Sequence, residues 1–196
     1  RQPDIHLNLG KVMIQKNLFL LLSLILLGLN GLFLSQAFIP AQDAMFNFDC
    51  FYFFYNEFFY HHHLPLWMPS QFYGMTSHYY QWTCLTPMSY VMILVGLVLR
   101  VENVFLLWKI SMVLEQMVFL TGLFLLSSYL FKCKTVVFTL CVTGILTTLW
   151  WGQTFFNFRL FYLMPFMMLC LVKSFQEKKP HYIWIACAVS VLGLWG

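Results

Sequence analysis

Apolar runs long enough to cross a lipid bilayer are the feature that most restricts how this chain can fold. The first run covers residues 18–39 and the longest covers 105–131. A membrane-spanning helix needs about 20 mainly apolar residues. Only 9% of the 196 residues are charged, whereas a water-soluble domain carries roughly 25%. The sequence therefore predicts an all-α membrane protein rather than a soluble domain.

The positions of lysine and arginine predict the topology, because cytoplasmic flanks of membrane helices collect these residues. If the run 84–99 crosses the membrane, four of the positive charges are cytoplasmic and five are outside, which shows no bias. If it lies on or dips into the outer face, seven charges are cytoplasmic and two are outside. The second topology follows the rule and places the N-terminus in the cytoplasm. Its cytoplasmic charges are Lys11, Lys16, Lys132, Lys134, Lys173, Lys178 and Lys179, and its outer charges are Arg100 and Arg159.

This topology predicts one polytopic transmembrane helical bundle over residues 1–196, expected to be the N-terminal part of a longer protein. Residues 40–104 form a long extracytoplasmic first loop, whose many aromatic rings suit the membrane–water boundary. Within the loop, Phe46 to Tyr60 is expected to form an interfacial helix with Asp49 and Glu57 on one face. The predicted spans are 18–39, 105–131, 135–151, 160–175 and a truncated 181–196.

A family resemblance appears in the segment FNFDCFYFFYNEFFYHHHLPLWMPSQFYGM, which carries Asp49, then PLWMP, then FYGM. The segment resembles the first outer loop of the YfhO-type bacterial membrane proteins. These belong to the GT-C superfamily of polyprenyl-phosphate-sugar-dependent glycosyltransferases. SSYLFKCK resembles the family's basic cytoplasmic turn, and FYLMPFMMLCLVKSF resembles its fourth span. The likeness covers most of residues 45–175, with Met68 in place of the family's asparagine and Tyr73 in place of a glycine.

The resemblance implies a GT-C bundle that moves a sugar from a polyprenyl-phosphate carrier to a glycan, lipid or polymer acceptor. The reaction is expected on the extracytoplasmic face of the bacterial inner membrane. Asp49 is the candidate catalytic base, or a ligand for a divalent cation such as Mg²⁺ or Mn²⁺. No second acid forms a DxD motif with it. Without the resemblance, the simpler interpretation is that Asp49 caps the helix or faces water.

Four further residues are candidates for substrate binding. Arg159 is the candidate phosphate contact, since a guanidinium binds phosphate through two hydrogen bonds; the alternative is snorkelling to lipid headgroups. Trp67 either forms a wall of the sugar site or packs its turn onto the bundle. His78 and Gln81 are candidates to line the acceptor cleft. No stretch rich in lysine and arginine suggests a nucleic-acid partner.

Glu115 supports a rival function, because it lies inside the predicted span 105–131, where ionisable residues usually serve a function. Lys109 is six residues away, about 120° around a helix, so a direct ion pair is poor. We expect Glu115 to meet a polar group on a neighbouring helix. The rival is a transporter or envelope-assembly subunit without chemistry of its own. An enzyme of the proposed kind needs its acid at the outer interface, whereas a transporter needs ionisable groups at the midplane.

Overall fold

A computed structural model describes residues 5–35, 39, 43–62, 67–68, 75–76, 85–147 and 162–194. In these ranges the chain forms seven α-helices, which confirms the predicted helical class. Helix α2 continues into a π-helical turn, Glu57–His61, and one short antiparallel ladder pairs β1 (Trp67–Met68) with β2 (Met75–Thr76). The helices are α1 (Ile5–Leu34), α2 (Asp43–Asn56), α3 (Pro87–Leu99), α4 (Val104–Leu130), α5 (Lys134–Leu146), α6 (Met164–Glu177) and α7 (His181–Leu194).

Helix α4 is the centre of the fold, and α1, α2, α3, α5 and α6 all pack against it. The rings of Phe19 and Phe124 lie 5.3 Å apart, so the first half of α1 lies beside the second half of α4. Asn30 donates a side-chain hydrogen bond to Gln116 between the same two helices. One buried cluster surrounds the first half of α4 and contains Phe51, Phe54, Leu107 and Trp108 among others. A second cluster surrounds the other half and contains Leu22, Leu26, Leu120 and Cys141 among others.

Two helices are long and apolar enough to cross a membrane, namely Gln15–Leu34 within α1 and the 27 residues of α4. The predicted span 105–131 differs from α4 by one residue at each end. The other three predicted spans correspond to shorter helices, because α5 has 13 residues and α6 and α7 have 14 each. Such helices are about 20 Å long, less than the roughly 30 Å of a hydrocarbon core. The described residues therefore do not show five full-length spans.

Helix α3 is also too short to cross a bilayer, as expected for the run 84–99. Pro87 occupies its first turn, and Thr86 and Ser89 form a reciprocal capping box that fixes where it begins. It ends at Arg100, whose φ of 50° reverses the chain, and Asn103 then caps α4 through the Leu106 amide. Because the connection is this short, α3 folds back along the first half of α4.

Gly122 is expected to hold α4 and α6 close together. A β-carbon at this position would lie 2.7 Å from the Phe166 ring and 3.1 Å from Cβ of Pro165. The Gly122→Ala variant should therefore lower the free energy of unfolding by about 1–2 kcal/mol through overpacking, measured by thermal unfolding in detergent. Gly28→Ala is the matched control, since a β-carbon at Gly28 has no atom within 4 Å. Equal stability of the two variants would contradict this packing.

Candidate active site

The candidate site is an open groove along the exposed side of α2 and its π-helical turn. Helical periodicity gives α2 one buried and one accessible face. Phe51, Phe54 and Tyr55 lie on the buried face, whereas the side chains on the other face remain accessible. Asp49 and Glu57 lie on that accessible face, as the sequence predicted. The groove is lined by Asp49, Tyr52, Phe53, Asn56, Glu57, Tyr60 and His61.

Asp49 is exposed and makes no hydrogen bond or ion pair with any residue that the structure describes. Partial burial among the aromatic rings raises the pKa of its carboxyl group above 3.8. Glu57, the second acid of the groove, lies 4.0 Å from Nε2 of His61. The groove therefore combines an accessible carboxylate, a carboxylate–imidazole pair and several aromatic faces.

The described residues do not supply a complete metal site at Asp49. In the described ranges, no three His, Cys, Asp or Glu side chains come together. Glu57 is eight residues further along the helix, a rise of about 12 Å, so the two carboxylates are too far apart to share one ion. Among the described residues, the surroundings of Asp49 suit a general base better than a metal ligand.

Buried contacts fix the position of α2. The hydroxyl of Tyr55 lies 2.7 Å from the carbonyl oxygen of Val101 and 3.2 Å from that of Gly96. Gly96 permits this approach, because a β-carbon there would clash with the Leu107 side chain and lie 2.7 Å from the Tyr55 ring. The ring of Phe48 packs 4.9 Å from that of Phe105 on α4. The groove therefore rests on a fixed base formed by α3 and α4.

Glu115 is buried near the middle of α4 and accepts a hydrogen bond from the hydroxyl of Thr86. The Thr86 oxygen in turn accepts a hydrogen bond from the amide of Ser89 at 3.2 Å and so caps α3. The positive end of the α3 dipole faces the same carboxyl group. Thr86 is thus a polar partner of the kind predicted for Glu115, and the contact joins the start of α3 to α4.

Lys109 lies in the second turn of α4 and is completely buried. Its ammonium group donates to the carbonyl oxygen of Ser35 at 2.8 Å, just beyond the end of α1. The ammonium nitrogen also lies 4.3 Å from the centre of the Phe105 ring, a favourable cation–π distance. Lys109 therefore contacts the chain just after α1, and Glu115 contacts the start of α3.

Charged residues on the surface segregate to two ends of the bundle. The acid end contains the α2 groove and the α3–α4 turn, with Asp49, Glu57 and Glu102. The lysine end contains the start of α1, the α4–α5 turn and the α6–α7 turn. Arg100 lies at the acid end and Glu177 at the lysine end. The lysines at the lysine end are Lys16, Lys132, Lys134, Lys173, Lys178 and Lys179.

The remaining sequence candidates lie outside the described residues or are described only in part. Arg159, His78 and Gln81 fall outside the described ranges. The backbone of Trp67 pairs with Thr76 and that of Met68 with Met75 in the ladder. The side chain of Trp67 lies outside the described part. Sequence analysis missed this pairing because strands of two residues carry no detectable alternation.

Comparison with protein-family models, curated proteins and solved structures gives no match for this chain. The aromatic acid-bearing groove and the segregation of charge to two ends are therefore the features that bear on function.

Proposed function

We propose that this protein is a polytopic membrane glycosyltransferase of the GT-C kind. It moves a sugar from a polyprenyl-phosphate carrier to a glycan, lipid or polymer acceptor of the bacterial cell envelope. The observation that carries the proposal is an accessible Asp49 in an aromatic groove, at the end of the bundle opposite the lysines. The resemblance of this segment to YfhO-type proteins supports the same assignment.

Two features support a membrane location with the groove on the extracytoplasmic side. Large apolar side chains are exposed along the sides of the bundle, including Leu32 at 79% and Val98 at 81%, and such surfaces suit lipid better than water. Cytoplasmic flanks collect lysine, so the lysine end faces the cytoplasm and the groove faces outward. Helices α1 and α4 are the proposed crossings.

In the proposed reaction, the groove lies at the membrane depth where the sugar and phosphate of the donor are held. The polyprenyl tail holds the phosphate and sugar of the donor just outside the hydrocarbon core. Asp49 takes the proton of an acceptor hydroxyl, whose oxygen then forms a bond to the anomeric carbon. The bond from that carbon to the phosphate oxygen breaks, and the phosphate leaves with the electron pair. The rings of Tyr52, Phe53 and Tyr60 provide apolar faces for the sugar.

The other roles stay with the residues that the resemblance selects. Arg159 is the proposed contact for the leaving phosphate, Trp67 a wall of the sugar site, and His78 and Gln81 residues of the acceptor cleft. The rival transporter has less support, because Glu115 and Lys109 each tie α4 to another part of the fold. These contacts support a structural role for both residues.

A direct assay separates the two functions. Membranes that contain the full-length protein receive labelled polyprenyl-phosphate hexoses, and covalently bound label is measured in the glycan, lipid and polymer fractions. Sealed vesicles measure uptake of the same free sugars in parallel. We expect covalent transfer that depends on the protein. Protein-dependent uptake without any covalent transfer would refute the glycosyltransferase.

The rate of transfer should also depend on pH through Asp49. A base must be ionised, and burial raises the pKa of Asp49 above 3.8. The value of kcat/KM should therefore fall as the pH drops through that raised pKa. The measurement is a pH profile of transfer, with Glu57→Gln as the control variant. A profile that stays flat over the whole acidic range in which the protein remains folded would contradict the role of Asp49 as base.

A further inference from the structure

At the lysine end, α4, α6 and α7 meet around a single acid, Glu177. The Tyr129 hydroxyl lies 3.4 Å from one carboxylate oxygen, and the Tyr182 hydroxyl lies 3.3 Å from the other. The ammonium group of Lys179 lies 3.2 Å from the second oxygen and, through this hydrogen bond, lowers the pKa of Glu177. Lys179 and the hydroxyl groups of Tyr129 and Tyr182 therefore all contact the Glu177 carboxylate.

Two further lysines lie beside this acid, so positive charge exceeds negative charge here. The Lys173 ammonium nitrogen lies 5.4 Å from the Tyr129 ring centre and 5.5 Å from the Tyr182 ring centre. The two rings hold the ammonium group in place, and its charge also acts on the Glu177 carboxylate. Lys178 is exposed beyond the end of α6, and neither lysine forms an ion pair with a described residue. Glu177 is the only acid after Glu115 in the sequence, so this end attracts anions.

Exposed aromatic side chains near the lysines indicate which kind of anion binds there. Phe175 is 81% exposed on α6, the helix that carries Lys173, and Trp184 is 77% exposed on the neighbouring helix α7. A soluble anion would leave these rings in water. A phospholipid can cover such rings with its acyl chains while its phosphate meets ammonium groups at the headgroup level.

We propose that Lys173, positioned by Tyr129, Tyr182 and Glu177, and the exposed Lys178 form a binding site for the phosphate group of anionic membrane lipids. The site requires an anionic lipid but no sugar transfer, so it stands apart from the proposed glycosyltransferase activity. It lies at the end of the bundle opposite the groove of Asp49. The bound lipid holds the ends of α4, α6 and α7 at the headgroup level.

The test uses full-length protein in a neutral detergent, titrated with dioleoyl phosphatidylglycerol or dioleoyl phosphatidylcholine. Native mass spectrometry counts the retained lipids. We expect tighter binding of phosphatidylglycerol, weakened about thirtyfold by the double substitution Lys173→Gln and Lys178→Gln. Lys178→Gln alone changes an exposed side chain and should weaken binding about fivefold without affecting folding. Lys16→Gln, at the same end on α1, is the matched control and should retain wild-type affinity.

Several outcomes would overturn the site. Equal binding of the two lipids would remove the preference for anionic lipids. Wild-type affinity in both lysine variants, or an equal loss in Lys16→Gln, would show that these lysines form no particular site. Displacement of phosphatidylglycerol by millimolar inorganic phosphate would identify a soluble anion as the ligand. None of these measurements depends on sugar transfer, so failure of the site and failure of the proposed enzyme are distinguishable.

Discussion

Replacing Asp49 by asparagine should lower the rate of sugar transfer by about 10²–10⁴-fold, the range typical of a lost general base. The amide keeps the size of the side chain but does not take the acceptor's proton. Because Asp49 is exposed and makes no hydrogen bond or ion pair with a described residue, its replacement should change the free energy of unfolding by no more than about 0.5 kcal/mol. The rate is measured in host membranes at matched amounts of full-length protein.

The groove offers a matched control for this substitution. Glu57 lies in the same groove and pairs with His61, so Glu57→Gln removes an equal charge without removing the proposed base. Asp49→Glu keeps a carboxyl group and should recover part of the rate. If Asp49→Asn transfers sugar as fast as the wild type, Asp49 has no part in the chemistry. A larger loss in Glu57→Gln than in Asp49→Asn would assign the base to Glu57.

Replacing Glu115 by alanine should lower the free energy of unfolding by about 2–4 kcal/mol, the sum of a lost buried hydrogen bond and a new cavity. The Thr86 hydroxyl would lose its acceptor, and the capped start of α3 would lose the carboxyl group that faces it. The change is measured by chemical unfolding of the purified protein in detergent. Since α2 rests on α3, the variant should also reduce transfer through misplacement of the groove.

Two further variants test whether Glu115 acts through Thr86. Glu115→Gln keeps a hydrogen-bond acceptor of the same length and should cost less than about 1 kcal/mol. In a double-mutant cycle, Glu115→Ala and Thr86→Ala together should cost clearly less than the sum of the two single losses, because they share one interaction. Additive losses would show that the two residues stabilise the fold independently. A fully stable Glu115→Ala variant that still loses activity would instead favour a direct functional role.

Long periodic or apolar segments were predictable from the sequence, and short or irregular ones were not. The bounds of α4 and the helix over Phe46 to Tyr60 follow from local composition, so the prediction holds to within a few residues. The predicted spans over α5 and α6 extend into residues 148–151 and 160–161, which lie outside the described part of the chain, so their full lengths stay predictions. In α6, Pro165 in the first turn and the left-handed Lys178 after the last turn set the described bounds.

The sequence by itself determined the helical class, the apolar surfaces and the separation of lysines from the aromatic acid-bearing segment. These properties depend on composition and on periodicity within single segments. Only the tertiary structure decided that Glu115 bonds Thr86, that Lys109 bonds the Ser35 carbonyl group, and that Lys173 lies between two tyrosine rings. Each of these contacts joins residues from different segments, and their distance in space depends on helix packing and not on local sequence.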